Sequence, residues 1–277
     1  LRVYVTSRAA RILPALAVVT VLTVLVIGPI FTALPLGAYA SSPTTWAYLV
    51  NMFPVLPQYE LPGVFGGLPY PDVVNGSIWT LRAEFLCYLA VVLVGLFPPR
   101  LRPWLIGAAA VAAAIVAPMG LRLAGSDVST TAEVLIYFAV GALLRAVVPR
   151  RALRADAALI VAVAWALVTW LVPAIAHPVS WVLLPYVVIS IGMASTPVVR
   201  RAARFGDLSY GVYLWAFPTQ QALLVLVPGL GAWESIAIVT PISALLALGS
   251  WHLVEKRAMT AKDRLPWMRR LRTVTAR

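Results

Sequence analysis

Apolar residues in this chain gather into eight long windows, at 12–34, 78–97, 104–121, 131–147, 157–173, 181–195, 208–227 and 235–254. Each is long enough, or nearly so, to cross a hydrocarbon layer about 30 Å thick. Each predicts a helix, because a spanning segment must satisfy its own backbone polar groups. The expected fold class is therefore all-α: a polytopic transmembrane helical bundle of about eight spans. The links are short except one, which runs from Pro35 to Ser77 and is rich in Pro, Gly, Tyr and Ser. Links of that length without secondary structure of their own are usually functional or disordered. Within it, 46–56 is apolar and is expected to lie along the membrane surface or dip back in. The stretch 59–72 carries aromatic rings, turn residues and the carboxylates of Glu60 and Asp72. That pattern suits a saccharide and the lipid headgroup layer equally.

Composition and charge support this map. Of 277 residues, 61% are hydrophobic and 12% charged, about half the charged fraction of a soluble domain. Alternating spans put 20 of the 22 basic residues on one side, leaving Arg122 opposite and Arg82 in a helix. This is the positive-inside bias, with both termini cytoplasmic and an even number of spans. The same bias accounts for the net charge of +12 and leaves nucleic-acid binding without a motif. Cys87 is the single cysteine, so no disulfide framework exists; inside a helix it reads as a packing residue. The first apolar run is too long for a cleavable signal peptide and has no small-residue cleavage site after it, so it is expected to be a span. The start at Leu1, within a basic segment, leads us to expect that the natural N-terminus lies upstream. The division expected is a membrane domain over 1–258 and a basic cytoplasmic tail over 259–277, the latter contacting anionic lipid.

Against this apolar background a few polar groups stand out. Arg82 and Glu84 fall inside a predicted span, and an ionisable residue there is a functional-site hypothesis by default. Glu84 lies roughly 9 Å along its helix. Two residues apart, Arg82 and Glu84 face different ways and each needs its own partner. Thr80, Glu84 and Tyr88 share one face; the plainer use of such a carboxylate is to fix helix packing. Ser209 and Tyr213 stack on another helix, where Pro218 breaks the ladder and Gln220 and Gln221 sit deep. Those amides either satisfy carbonyls freed by the proline or line a substrate passage. Asp207 is placed to cap that helix. His177, in an outer loop over 174–180, and His252, near the inner end of the last helix, have no partner fixed by the sequence and read as surface and interfacial residues. Arg8 and Arg11 share a face before the first helix and suit a phosphate, although basic residues flank most cytoplasmic helix ends. No Ser-His-Asp order, Cys/His metal spacing or Gly-rich phosphate loop is present.

Four pieces occur in order: Arg8-x-x-Arg11-Ile12-Leu13-Pro14; Asn75-Gly76-Ser77-x-Trp79-x-Leu81-x-x-Glu84; Ser209-Tyr210-x-x-Tyr213-Leu214 with Pro218; and Trp251-x-x-Val254-Glu255-Lys256. Together they resemble the integral-membrane acyltransferase-3 family, which includes O-acetyltransferases of surface polysaccharides and peptidoglycan. The resemblance implies transfer of an acyl group, usually acetyl from acetyl-CoA at the cytoplasmic face, to a hydroxyl of an extracytoplasmic saccharide, by a multi-pass protein of the cell membrane without a metal. It implies Glu84 as the catalytic carboxylate, Arg8 and Arg11 as coenzyme contacts, and Asn75, Trp79, Tyr210 and Glu255 as further motif positions; these four, with Tyr88 and Tyr213 from the helix-face pattern, are expected on the substrate side. The family usually begins with two more spans carrying an Arg and a His base. This sequence lacks them, has Ala216 where many relatives have His, and has Arg82 where most have a neutral residue. The expectation is a chain without its main base, inactive by itself. A transporter or flippase for a lipid-linked saccharide is the competing class, and a non-catalytic subunit is a third.

Overall fold

The computed structural model describes residues 1–123, 126–194 and 206–268. Among these residues the chain is helical apart from a two-residue antiparallel pair, β1 (Arg122–Leu123) with β2 (Ser126–Asp127). Each of the eight apolar windows overlaps a helix. These are α1 (Arg2–Leu22), α2 (Trp79–Gly95), α3 (Arg102–Val116), α4 (Val128–Val147), α5 (Ala155–Leu171), α6 (Pro173–Met193), α7 (Ser209–Leu226) and α8 (Ala232–Ser250). Among the described residues six runs are long and apolar enough to cross a membrane: Arg2–Phe31, Gly76–Gly95, Arg102–Met119, Val128–Val147, Pro173–Met193 and Ala232–Lys262. Helix α5 has only 17 residues, and α7 carries Pro218, Gln220 and Gln221 within its 18. Length and apolarity thus support six spans among the described residues. One expectation fails outright: 174–180 is the start of α6, not a loop. Pro173 opens that helix at its first position, where the missing N–H has no partner to lose.

The helices divide into two compact units, Leu1–Phe85 with Ala202–Arg277, and Leu86–Arg201. In the second, α3 packs on α4, α4 on α6 and α5 on α6. Ala113, Ala132 and Ile136 are buried between α3 and α4. Arg102 closes the end of α2 by donating to the carbonyls of Phe97 at 3.0 Å and Gly95 at 3.2 Å. Asp127 caps α4 by accepting the Thr130 N–H at 2.9 Å.

The first unit is built on α1, which passes through a π turn (Thr23–Ile27) and continues as Gly28–Phe31. The turn shifts the ladder by one residue, so the Gly28 N–H bonds Thr23 O. In that register the Val24 carbonyl would take its hydrogen from Pro29, which has none. The Tyr39 hydroxyl donates to it instead, at 2.8 Å. Gly28 makes room, since a Cβ there would lie 1.9 Å from the Tyr39 oxygen. The segment after α1 folds into three short helical pieces, Leu36–Ser41, Pro43–Ala47 and Tyr48–Met52. Tyr39, Tyr48, Leu61, Val64, Phe65 and Val74 bury against Val24. The long link is therefore a folded cap with its own core, held by a Thr32–Val64 bridge and by an Asn51 amide that both donates to and accepts from Gln58.

Helices α7 and α8 cross closely because Gly211 has no side chain. A Cβ there would lie 2.8 Å from that of Ala247, which is fully buried. Gly211→Val should force the helices apart and cost about 1–3 kcal/mol, read as a lower unfolding midpoint of the purified protein in detergent. An unchanged midpoint would show that the crossing is looser than drawn.

Candidate active site

The site forms where the start of α7 meets α1 and α2. Gly206 has φ +104°, and a Cβ on it would lie 2.3 Å from the Trp251 indole nitrogen, so only glycine fits the turn. That turn presents Asp207, which forms an ion pair with Arg11 and accepts a hydrogen bond from the Ser209 hydroxyl at 2.8 Å. Asp207 is thus not the helix cap expected. Leu208 holds that position without a side-chain cap. One turn on, the Tyr210 hydroxyl donates to Ile12 O at 3.2 Å. The Tyr213 hydroxyl donates to Ser77 O and shares a hydrogen bond with the Thr80 hydroxyl. Arg11, Ile12, Thr80, Glu84, Ser209, Tyr210 and Tyr213 together enclose a polar cleft of about 250 Å³.

Asn75 stands behind this cleft, 2% exposed. Its Oδ1 accepts the Ser77 N–H and its Nδ2 donates to Leu214 O at 3.0 Å. Leu214 lies four residues before Pro218, so its carbonyl is the one the proline leaves without a partner. The sequence pointed to Gln220 and Gln221 for that task. Gln221 instead bonds the carbonyls of Tyr70 and Val73 in the cap, at 2.9 and 2.8 Å. Asn75, expected at the substrate, has both ends of its amide used by the fold.

The other expected residues separate. Arg11 lines the cleft, while Arg8 lies over the Tyr4 ring at 5.5 Å and does not line it. Trp79 is on an exposed face of α2, 41% accessible, outside the lining. Tyr88, a turn beyond Glu84, is half-buried and also outside it. Glu255 is 2% exposed at the end of a second π turn (Trp251–Glu255). It accepts from Ser250 at 2.8 Å and lies within electrostatic reach of Asp207 and Arg11. Arg82 reaches toward the cap, where burial pushes the Tyr59 phenol up and Arg82 draws it back. Sequence reasoning missed Asp207 as the partner of Arg11, and Tyr59, which is within reach of both Arg82 and Tyr213. The pairing of His177 was also missed: in the second unit its imidazole shares a hydrogen bond with the Glu133 carboxyl group and meets Trp181 edge-on. The two residues are 44 positions apart in sequence, so only the α4–α6 packing reveals the pair.

Compared with known proteins, residues 1–254 match the family described as an acyltransferase domain, acyltransferase-3. The chain belongs to this family. It is also similar to an O-acetyl transferase of Shigella phage Sf6, with 27% identity over 274 residues, covering 93% of this chain and 77% of the phage protein. No solved structure matches. The chain is accordingly a multi-pass membrane acyltransferase. The four motifs that carried the resemblance all lie in the first unit, and three of them, from Arg11, from Thr80 and Glu84, and from Ser209, Tyr210 and Tyr213, contribute directly to the cleft.

Two measurements test this geometry. Asn75→Ala should cost about 1–3 kcal/mol by orphaning the Leu214 carbonyl. In a Pro218→Ala background, where residue 218 regains its N–H, the same substitution should cost less; equal costs in both backgrounds would break the pairing. For Asp207, burial pushes the carboxyl up, but hydrogen bonds from Ser209 and the Arg11 charge outweigh it and hold the group below its ordinary value. A depressed folded pKa contributes stability that is complete above the ordinary carboxylate value of about 3.9 and is lost as pH falls through the lower folded value. Asp207→Asn should therefore remove part of the acid-induced loss of stability below about pH 4 and leave the slope at neutral pH unchanged.

Proposed function

We propose that this acyltransferase moves an acetyl group from acetyl-CoA on the cytoplasmic side to a hydroxyl of an extracytoplasmic saccharide. Its helices would form eight spans of the cell membrane with both termini cytoplasmic. The observation carrying this reading is that a carboxylate within a span, Glu84, and a guanidinium from the basic N-terminal end, Arg11, line one cleft. The name of the phage relative, an O-acetyl transferase, supports acetyl as the group moved. The distribution of basic residues supports the orientation.

The reaction asks for little. The hydroxyl oxygen bonds to the acyl carbon, the C–S bond breaks, the hydroxyl proton leaves, and the coenzyme thiolate takes up a proton. Glu84 is assigned to hold or accept the hydroxyl proton. Arg11, kept in place by Asp207, is assigned with Arg8 to the coenzyme phosphates. Tyr210, Tyr213 and the more distant Trp79 and Tyr88 are assigned to the acceptor side. Asn75 and Glu255 are assigned to holding the walls, since both are buried with their polar atoms bonded.

Transfer of radiolabelled acetyl from acetyl-CoA in membranes distinguishes this reading from a transporter or flippase, which gives none. Glu84→Gln, which keeps size and removes charge, should lower transfer at least about 100-fold while the protein still inserts in normal amount. Transfer at the unsubstituted rate would remove Glu84 from the mechanism.

A further inference from the structure

The last helix does not stop at the end of α8. Through the π turn at Trp251–Glu255 it continues as α9 (Lys256–Lys262), so that Ala232–Lys262 is one run of 31 residues. The extra residue in a π turn rotates everything after it. Here it turns Glu255 inward, where Ser250 holds it, and leaves His252, Lys256 and Thr260 in one row on the outside. Arg257 and Ala261 form the next row, and Arg264 follows the helix end. These six residues enclose a hollow of about 480 Å³, within the ~300–1,000 Å³ range of small-ligand sites.

The lining is unbalanced. It holds three permanent cations, an imidazole and a hydroxyl, and no acid. Among the described residues Lys256, Arg257 and Arg264 form no ion pair. The ring nitrogen Nδ1 of His252 donates to Leu248 O at 3.0 Å, which leaves Nε2 as the nitrogen for an outside contact. The Thr260 hydroxyl donates to Lys256 O at 2.8 Å, so its oxygen can still accept. A concave surface whose charged lining groups are all positive focuses potential on an anion. Two guanidinium forks beside an ammonium match the oxygens of phosphate groups better than a single carboxylate.

We propose that this hollow is a binding site for clustered phosphate groups. The source is either a soluble diphosphate, such as the one in the coenzyme donor, or the headgroup of an anionic lipid. The soluble source rests on the acyl-CoA reading given above; the site itself does not. It also differs from a diffuse attraction of basic residues to a charged membrane, because it depends on position and not on charge count. Lys262 adjoins the hollow without lining it, so it serves as the control for removing one charge outside the lining.

The test compares the unsubstituted protein, the Lys256→Gln/Arg257→Gln/Arg264→Gln variant and Lys262→Gln. In neutral detergent, inorganic pyrophosphate is titrated by calorimetry. In vesicles, the unfolding midpoint is read in phosphatidylcholine with and without about one-fifth phosphatidylglycerol. The expected result is pyrophosphate affinity at least roughly tenfold weaker in the triple variant and unchanged in Lys262→Gln. If pyrophosphate binding is equal in all three but the triple variant alone loses its stabilisation by phosphatidylglycerol, the site stands with lipid as its source. If neither readout differs between the triple variant and Lys262→Gln, the proposal is overturned. Acetyl transfer measured on the unsubstituted protein separates the two claims. Transfer without a phosphate site refutes only this inference, and a phosphate site without transfer refutes only the acyl-CoA reading.

Discussion

A helix in lipid has no water to take up a carbonyl that loses its partner, and at two of the helix prolines of this chain, Pro29 and Pro218, a side chain from elsewhere takes that carbonyl up. Pro29, in the register set by the π turn of α1, leaves Val24 O without an N–H; Pro218 does the same to Leu214 O. Both are satisfied by side chains from outside their helix, Tyr39 and Asn75. Tyr39 belongs to the cap after α1, and Asn75 to the turn that leads into α2. An orphaned carbonyl costs about 1–3 kcal/mol, comparable to a large core substitution. The prolines thus do more than bend helices. They create obligatory acceptors, and those acceptors bind the cap to α1 and the entry of α2 to α7.

The polar cleft follows from this arrangement. Once Asn75 is fixed against α7, Ser77 and Thr80 come within reach of Tyr213, and the next turn of α2 brings Glu84 to the same wall. On the other side, Gly206 lets the chain pass over Trp251 and deliver Asp207 to Arg11. Most polar atoms around the cleft are already bonded to protein. Glu84 and Arg11 are the carboxyl and guanidinium side chains of the lining, and a less polar setting strengthens the electrostatic interactions such groups make. A site of this kind selects by charge placement and leaves little freedom of movement to its walls.

Much of the fold was legible in the sequence because lipid imposes a single demand, long apolar helices, and composition answers it directly. Eight windows overlapped eight helices. Where a helix begins was less legible: a His-Pro pair reads as a break, yet Pro178 lies inside α6 because Pro173 had already started the helix one residue after α5's flank. The cap was legible only as a long link rich in turn residues, since its core depends on contacts between Val24 and residues fifty positions later. At the site, Glu84, Arg11, Tyr210 and Tyr213 could be picked out as polar groups in apolar runs. Their partners could not. Asp207 looked like a cap and Asn75 like a ligand, because a sequence shows which groups need hydrogen bonds and not which groups supply them.

The basic residues carry two kinds of information that a sequence merges. Charge count by link gives orientation, and every Lys or Arg contributes to it equally. The geometry of the last helix breaks that equality. The π turn takes Glu255 out of the outer face and aligns His252 with Lys256 and Thr260, while Lys262, one turn away, stays outside the hollow. A straight α-helix through the same residues would turn those after it to a different face. The position of each cation along that helix, and not its charge alone, therefore distinguishes the concave surface from a generic basic tail. The π turn in α1 turns a proline from a defect into an anchor for the cap.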